Sequence, residues 1–187
     1  MSPQHSNRTA LIEGALECLA DGPAANVTAR DIADRSHANL ASIGYHFGSK
    51  DGLLAEAMVE GFRRWLAEVA IALADLPVND ASARLGRAIE VVSTSAERHA
   101  GLARTFLAAL ANAPHDDRVR VPLAESYRES RSAVAGLIGL GNDQAGEDAA
   151  GLLIAVFDGL LIQSLLDPSR GLAAARLAAA QVRLAEI

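Results

Sequence analysis

The chain has 187 residues, half of them hydrophobic but only 4% aromatic, and it carries 39 Ala and 25 Leu against eleven Val and nine Ile. That length buries a real core in one domain, or in a small domain joined to a larger one, and the Ala/Leu bias makes the class all-α and excludes a sandwich or barrel. Charged residues at 21% exclude a disordered chain, the net charge of −6 speaks against non-specific nucleic-acid binding, and the single cysteine, Cys18, excludes an intramolecular disulfide or a cysteine-based zinc site.

Helical patterns follow one another with short breaks. Leu11, Ile12, Ala15, Leu16 and Leu19 predict a helix over 8–20 that stops at Asp21-Gly22-Pro23. Thr28-Ala29-Arg30-Asp31 has the spacing of a capping box and starts a short helix to about Ser36. A third helix begins at Asn39 as N-cap and ends at Gly48, and Ser49 caps a long fourth one reaching about Leu76, before Pro77. Further helices are expected at about 81–99, 102–112, 117–140, 144–166 and 172–185, about nine in all. The polar residues 1–8 are followed by no apolar run with a cleavage site, and Asp158 and Gln163 interrupt the apolar stretch from Ala149 to Leu166. A soluble cytoplasmic protein without a membrane span is expected.

Residues 28–47 set two short helices around the turn Ser36-His37-Ala38. Ile32, Ala33, Ala38, Ile43 and Phe47 can share one small core, with Ile43 and Phe47 four apart on one helix face. The other face presents Leu40, Ala41, Ser42, Gly44, Tyr45 and His46. This is the layout of a helix-turn-helix, whose second helix enters the major groove while the first crosses the backbone. Leu40 and Ala41 suit a thymine methyl, Ser42 a base edge or phosphate, and Tyr45 and His46 phosphate oxygens. The plain alternative for Tyr45 and His46 is packing against the fourth helix. Lys50, the only lysine, sits in the first turn of a helix, where the macrodipole disfavours a cation. Helix amides and an adjacent ammonium together make a phosphate site; the alternative is a solvated surface lysine.

The run Asn39-Leu40-Ala41-Ser42-Ile43-Gly44-Tyr45-His46-Phe47-Gly48-Ser49-Lys50-Asp51-Gly52-Leu53-Leu54 resembles the recognition segment of tetracycline-repressor-type (TetR family) regulators. Arg8, Ala15, Leu19, Gly22, Thr28, Ile32 and Ala33 extend the resemblance to about residues 8–58. More weakly, the stretch from Phe157 to Pro168 is similar to the penultimate helix by which family members dimerise. The resemblance implies that Thr28 and Arg30 lie at the DNA backbone or a base edge and that Asn39 caps the recognition helix. It places Leu40, Ala41 and Ser42 on the bases and Tyr45, His46 and Lys50 on phosphates. Two residues depart from the family pattern. His37 stands where a glycine usually supplies a left-handed backbone, and Gly44 stands where a larger side chain often reads bases.

The expected architecture is therefore an N-terminal three-helix helix-turn-helix head, residues 1–50, joined by a long helix to a C-terminal helical bundle, residues 51–187, for ligand binding and dimerisation. Leu153, Val156, Leu160 and Leu161, with Leu177 and Leu184 of the last helix, are the expected dimer contacts of a four-helix bundle. Gly151, Ala155 and Gly159 allow close helix approach. The resemblance implies a ligand pocket, for which Trp65, His99, Phe106, Tyr127, Phe157 and Gln163 are candidates, with Asp158 also notable as a polar residue on an apolar helix. No nucleophile elbow, P-loop, dinucleotide glycine fingerprint or Glu-x-x-His pair occurs, and the five histidines are scattered. Neither enzymatic activity nor a metal or cofactor is expected. The expected partners are a double-stranded operator, a second copy of the chain and a small-molecule effector. A helical scaffold with a vestigial helix-turn-helix, or a helical enzyme with an unrecognised site, remain the alternatives.

Overall fold

The computed structural model describes residues 3–22, 24–167, 176, 179, 180 and 183. Among them lie eight α-helices and no strand: α1 (Pro3–Asp21), α2 (Ala29–Ser36), α3 (Ala41–Phe47), α4 (Lys50–Ala72), α5 (Ala81–Ser95), α6 (Ala100–Asn112), α7 (Asp117–Ile138) and α8 (Gln144–Leu166). Single 3-10 turns occupy Ala24–Asn26 and Ala113–His115. Of the helix expected at 172–185, only 176, 179, 180 and 183 are described, all helical. Leu177 and Leu184 lie outside the described residues.

The contacts divide the chain into two compact units, and α4 and α7 each contribute to both. The first comprises the residues up to Arg64 together with Arg98–Ser126. In it α1 packs on α2, α3 and α6. Its core is built from Leu11, Ala15 and Leu19 of α1, Ile32 of α2, Ile43 and Phe47 of α3, and Leu53, Leu54 and Ala57 of α4. The spacing marked Leu11, Ala15, Leu19, Ile32, Ile43 and Phe47 as inward, and Ala38, also expected there, packs against the cluster half-buried; Leu53, Leu54 and Ala57 are contributed by the packing of α4. Polar ties reinforce it. Arg64 donates to Glu13 at 2.9 Å and to Glu60 at 2.7 Å, which binds α4 to α1 and holds the Glu13 carboxyl below its usual range. Arg35 pairs with Asp21.

The second unit comprises Trp65–Glu97 and the described residues from Tyr127 onward. Val69, Leu73 and Ile138 are its buried centre, packed by Leu85, Val91, Val92, Val134 and Leu153. Two helices in it end earlier than their sequences suggest. α4 stops at Ala72 rather than Leu76 because Arg84, itself buried, takes the freed carbonyls: its Nη1 donates to Leu73 O at 3.1 Å and to Leu76 O at 2.7 Å. α5 stops at Ser95 rather than near His99. The hydroxyls of Ser93, Thr94 and Ser95 donate back to the carbonyls of Ile89, Glu90 and Val91, in competition with the backbone ladder.

At Gly101 the backbone of α6 lies tight against that of α1: a Cβ there would stand 2.1 Å from the Leu19 carbonyl oxygen. At Gly86, in α5, a Cβ would meet nothing within 4 Å. Gly101→Ala should therefore lose about 1–3 kcal/mol of stability through overpacking, and Gly86→Ala should gain up to about 1 kcal/mol from helix propensity. Urea unfolding of the two variants measures both signs.

Candidate nucleic-acid interface and effector site

The short helices α2 and α3 are set by local chemistry. Thr28 caps α2 reciprocally: the Asp31 amide donates to Thr28 Oγ1 at 3.1 Å, and the Thr28 amide donates to Asp31 Oδ2 at 2.8 Å. The Thr28 hydroxyl also donates to Asp31 Oδ2 at 2.7 Å, which lowers the Asp31 pKa. α2 ends on His37 in the left-handed conformation, φ 52° and ψ 28°, the only non-glycine with positive φ among the described residues. The glycine-like turn inferred from the sequence is thus made by a histidine, against its steric preference.

α3 starts one residue later than expected. Its N-cap is Leu40, although Asn39 still serves the helix start by accepting the Ala41 amide on Oδ1 at 2.9 Å. Ile43 and Phe47 are buried, and the residues between them point outward. Leu40, Ala41, Gly44 and Tyr45 are exposed, Tyr45 to 75%, while Ser42 and His46 are half-buried. The Tyr45 and His46 rings meet edge-on at 4.9 Å. A Cβ at Gly44 would meet nothing within 4 Å, so no packing constraint within the chain selects glycine there. Arg30 is exposed on α2. α2 and α3 thus each present exposed side chains, of the kinds that touch bases and backbone when a short helix enters a groove.

Ser49 Oγ accepts the Gly52 amide at 3.0 Å, the cap expected for α4. Lys50 has a partner that the sequence did not suggest. Its Nζ donates to the Val27 carbonyl at 3.0 Å, tying the start of α4 to the segment before α2. The lysine is therefore accounted for without an anion, while its side chain stays one-third exposed. Two arginines complete the surroundings of α3. Arg8 pairs with Glu56 and lies over the Phe47 ring at 5.3 Å from the centroid. Arg118 lies against Gly48. No local pattern could have revealed Arg118, because only the fold brings the first turn of α7 to this place.

The six ligand candidates separate. Phe106 is buried against Phe62 at 5.7 Å in the first unit, where His99 also lies at the start of α6. Gln163 is exposed on α8. Trp65, Tyr127 and Phe157 belong to the second unit. Trp65 is 3% exposed, donates through Nε1 to Ser95 Oγ at 2.7 Å and meets the Phe157 ring edge-on at 5.4 Å. On the next residue of α8, Asp158 accepts the Tyr127 hydroxyl at 2.5 Å. Burial raises the Asp158 carboxyl above the usual carboxylate range, against the pull of the phenol, and burial and the carboxylate together push the phenol up. A half-buried carboxylate whose partner is a neutral phenol is suited to receive a cation.

Of the expected dimer residues, Leu161 is buried within the chain itself, 3% exposed, and Leu153 packs into the second unit's core. Leu160 is half-buried. Val156 is 60% exposed and shares an outward stripe with Leu152 at 71%, Ala155, Gly159, Gln163 and Leu166. A Cβ at Gly159 would meet nothing within 4 Å, whereas one at Gly151 would meet Arg131 Nε at 3.3 Å. α8 is long and apolar enough to cross a membrane by length and composition alone, a test that core helices of soluble proteins also pass.

Comparison with known proteins agrees with this geometry. Residues 81–186 match the family described as BetI-type transcriptional repressor, C-terminal, and residues 11–57 match bacterial regulatory proteins, tetR family. No curated protein matches the sequence. Among solved structures, the chain is similar to a protein from Pseudomonas aeruginosa PAO1 described as a transcriptional regulator, at 26% identity and a TM-score of 0.63, over 90% of this chain and 83% of the other. A further one, from Saccharomonospora viridis and solved in complex with choline, shows 25% identity and a TM-score of 0.64, over 90% of each chain. A TetR transcription regulator from Haloarcula marismortui shares the fold at 20% identity, with a TM-score of 0.64 over 94% of this chain and 95% of the other.

The strain at His37 is directly measurable. His37→Gly should raise stability by about 0.5–1 kcal/mol, the left-handed penalty less the entropy that glycine adds to the unfolded chain. Urea unfolding that shows a loss instead would mean the imidazole makes a compensating contact.

Proposed function

The chain belongs to the tetR family of bacterial regulatory proteins, with a C-terminal part of the BetI type, and we propose that it is a cytoplasmic, effector-released transcriptional repressor that binds a palindromic operator as a homodimer. The observation that carries this reading is the outward face of α3, where Leu40, Ala41 and Tyr45 stand exposed on a helix whose other face is buried through Ile43 and Phe47. In operator-bound form, Leu40, Ala41 and Ser42 face base edges, Tyr45, His46 and Lys50 take phosphates, and Thr28 and Arg30 lie along the backbone. Gly44 contributes no side-chain readout and lets the helix approach closely. Residues 1–50 are the reading head, and residues 51–187 bind effector and partner.

The outward stripe of α8 supports the dimer, since an exposed row of Leu152, Val156 and Leu166 with small residues between them calls for a covering helix. A dimer spaces two heads about one helical turn apart along the duplex or a little more. The effector is an organic cation, held by Asp158 with the Tyr127 hydroxyl and the rings of Trp65 and Phe157. The choline bound by the Saccharomonospora viridis protein supports that chemistry. A ligand that prefers one head spacing over the other shifts the population by no more than its difference in affinity for the two states.

The DNA reading is tested with a duplex that the protein selects from a random-sequence pool, by fluorescence anisotropy. Saturable binding that weakens steeply with salt is expected. Tyr45→Ala should lower affinity on the order of tenfold while stability stays within about 0.5 kcal/mol, as suits an exposed side chain. Enrichment of no sequence would refute the reading.

The effector reading is tested with choline, followed by the fluorescence of Trp65, the chain's single tryptophan. Saturable quenching or enhancement is expected, abolished by Asp158→Asn. Because the folded carboxyl is raised above its unfolded value, its contribution to stability is present at low pH and lost as pH rises through the folded pKa. Asp158→Asn should therefore melt higher than wild type at neutral pH, and choline affinity should rise with pH over the same interval. A variant that still binds choline would remove Asp158 from the site.

A further inference from the structure

α3 ends at Gly48, whose φ is 72° and whose amide donates to the Gly44 carbonyl at 3.1 Å. The place where a Cβ would project at Gly48 is covered by Arg118, with Cδ 3.2 Å and Nη1 3.7 Å from that point. Arg118 is itself held. Its Nε and Nη2 donate to the two carboxylate oxygens of Asp116 at 3.0 and 2.9 Å, and its amide donates to Asp116 Oδ1 at 2.9 Å. Such a fork fixes both the position and the plane of a guanidinium.

Asp51, in the first turn of α4, adds a further attraction to Arg118 and lies 3.9 Å from Lys50 Nζ. The charges Lys50, Asp51, Arg118 and Asp116 thus alternate in sign around the corner between α3 and α4. Asp116 also starts the first turn of α7: its carboxylate accepts the Arg118 amide, and its backbone carbonyl accepts the amides of Val119 and Arg120 at 3.0 and 2.9 Å. Val119 and Leu123, both buried, anchor this turn in the first unit.

We infer that Arg118 is a positioning residue for DNA binding: clamped by Asp116, it lies over Gly48 and fixes the angle at which the recognition helix α3 passes into α4. The inference deepens the reading above and rests on α3 being the helix that reads DNA. Arg118 acts through Gly48 and not as a phosphate ligand, because two of its three nitrogens are committed to Asp116. A helix as short as α3 has no rigidity of its own to spare, so loosening its C-terminal end lets Tyr45, His46 and Lys50 drift from the spacing of the phosphates.

The test uses the full-length protein, the selected duplex and three variants, Arg118→Ala, Arg118→Lys and Asp116→Asn. Each should weaken operator binding on the order of tenfold, with an unchanged slope of log affinity against log salt. Lysine should not rescue, since it cannot form the fork. In the DNA-free protein, amide exchange should speed up at Gly48 and at Leu53, whose amide donates to the Ser49 carbonyl. A salt slope reduced by about one would make Arg118 a phosphate contact and overturn the inference, as would unchanged affinity or unchanged exchange. The exchange measurement needs no DNA. If the wild type selected no duplex, the DNA reading would fall, while exchange at Gly48 would still decide whether Arg118 holds this corner.

Discussion

Everything on the outward face of α3 depends on the burial of Ile43 and Phe47. A helix of seven residues has no stability of its own in water, so α3 exists because these two side chains, four residues apart, enter the core made with Leu11, Ile32 and Leu53. Once they are inside, helical geometry leaves no choice for the rest. Leu40, Ala41, Gly44 and Tyr45 face out, and Ser42 and His46 flank them. The same anchor is reinforced by Arg8 over the Phe47 ring and is closed at the helix end by Gly48. His37 shows how strongly the core dictates the turn, since it is held in a conformation that histidine adopts uncommonly.

The second unit presents two features that a single chain leaves incomplete. α8 turns a row of apolar side chains outward, and beside it Asp158 keeps a carboxyl half-buried with only a phenol as its hydrogen-bond partner among the described residues. Neither favours stability in isolation: exposed Leu152 and Val156 forgo burial, and a desolvated carboxylate costs free energy until a cation offsets it. In the proposed function each has a use, the stripe for a second copy and the carboxyl for an effector. Sites that bind are commonly maintained at the expense of stability.

Much of this was legible in the sequence. The apolar spacing in 8–20 and 28–47 marked most of the head's core, and Thr28 and Ser49 announced their caps. The errors share one cause. α4 and α5 end where side chains distant in sequence or competing hydroxyls take over the carbonyls, as Arg84 does for Leu73 and Leu76, and propensity does not register such captures. For the same reason the structural partner of Lys50, a carbonyl before α2, was invisible, as were Arg118 at Gly48 and the pairing of Tyr127 with Asp158. Leu161 looked like an interface residue because α8 is apolar nearly all round, and only the packing decides which of its faces is already covered.

The most direct measurement is the mass of the complex between the protein and its selected duplex, followed by light scattering as choline is added. An effector-released dimer requires two protomers on each duplex without choline, and free duplex with an intact protein dimer at saturating choline. A complex carrying one protomer, or one that choline leaves undisturbed while Trp65 reports that choline is bound, would contradict it.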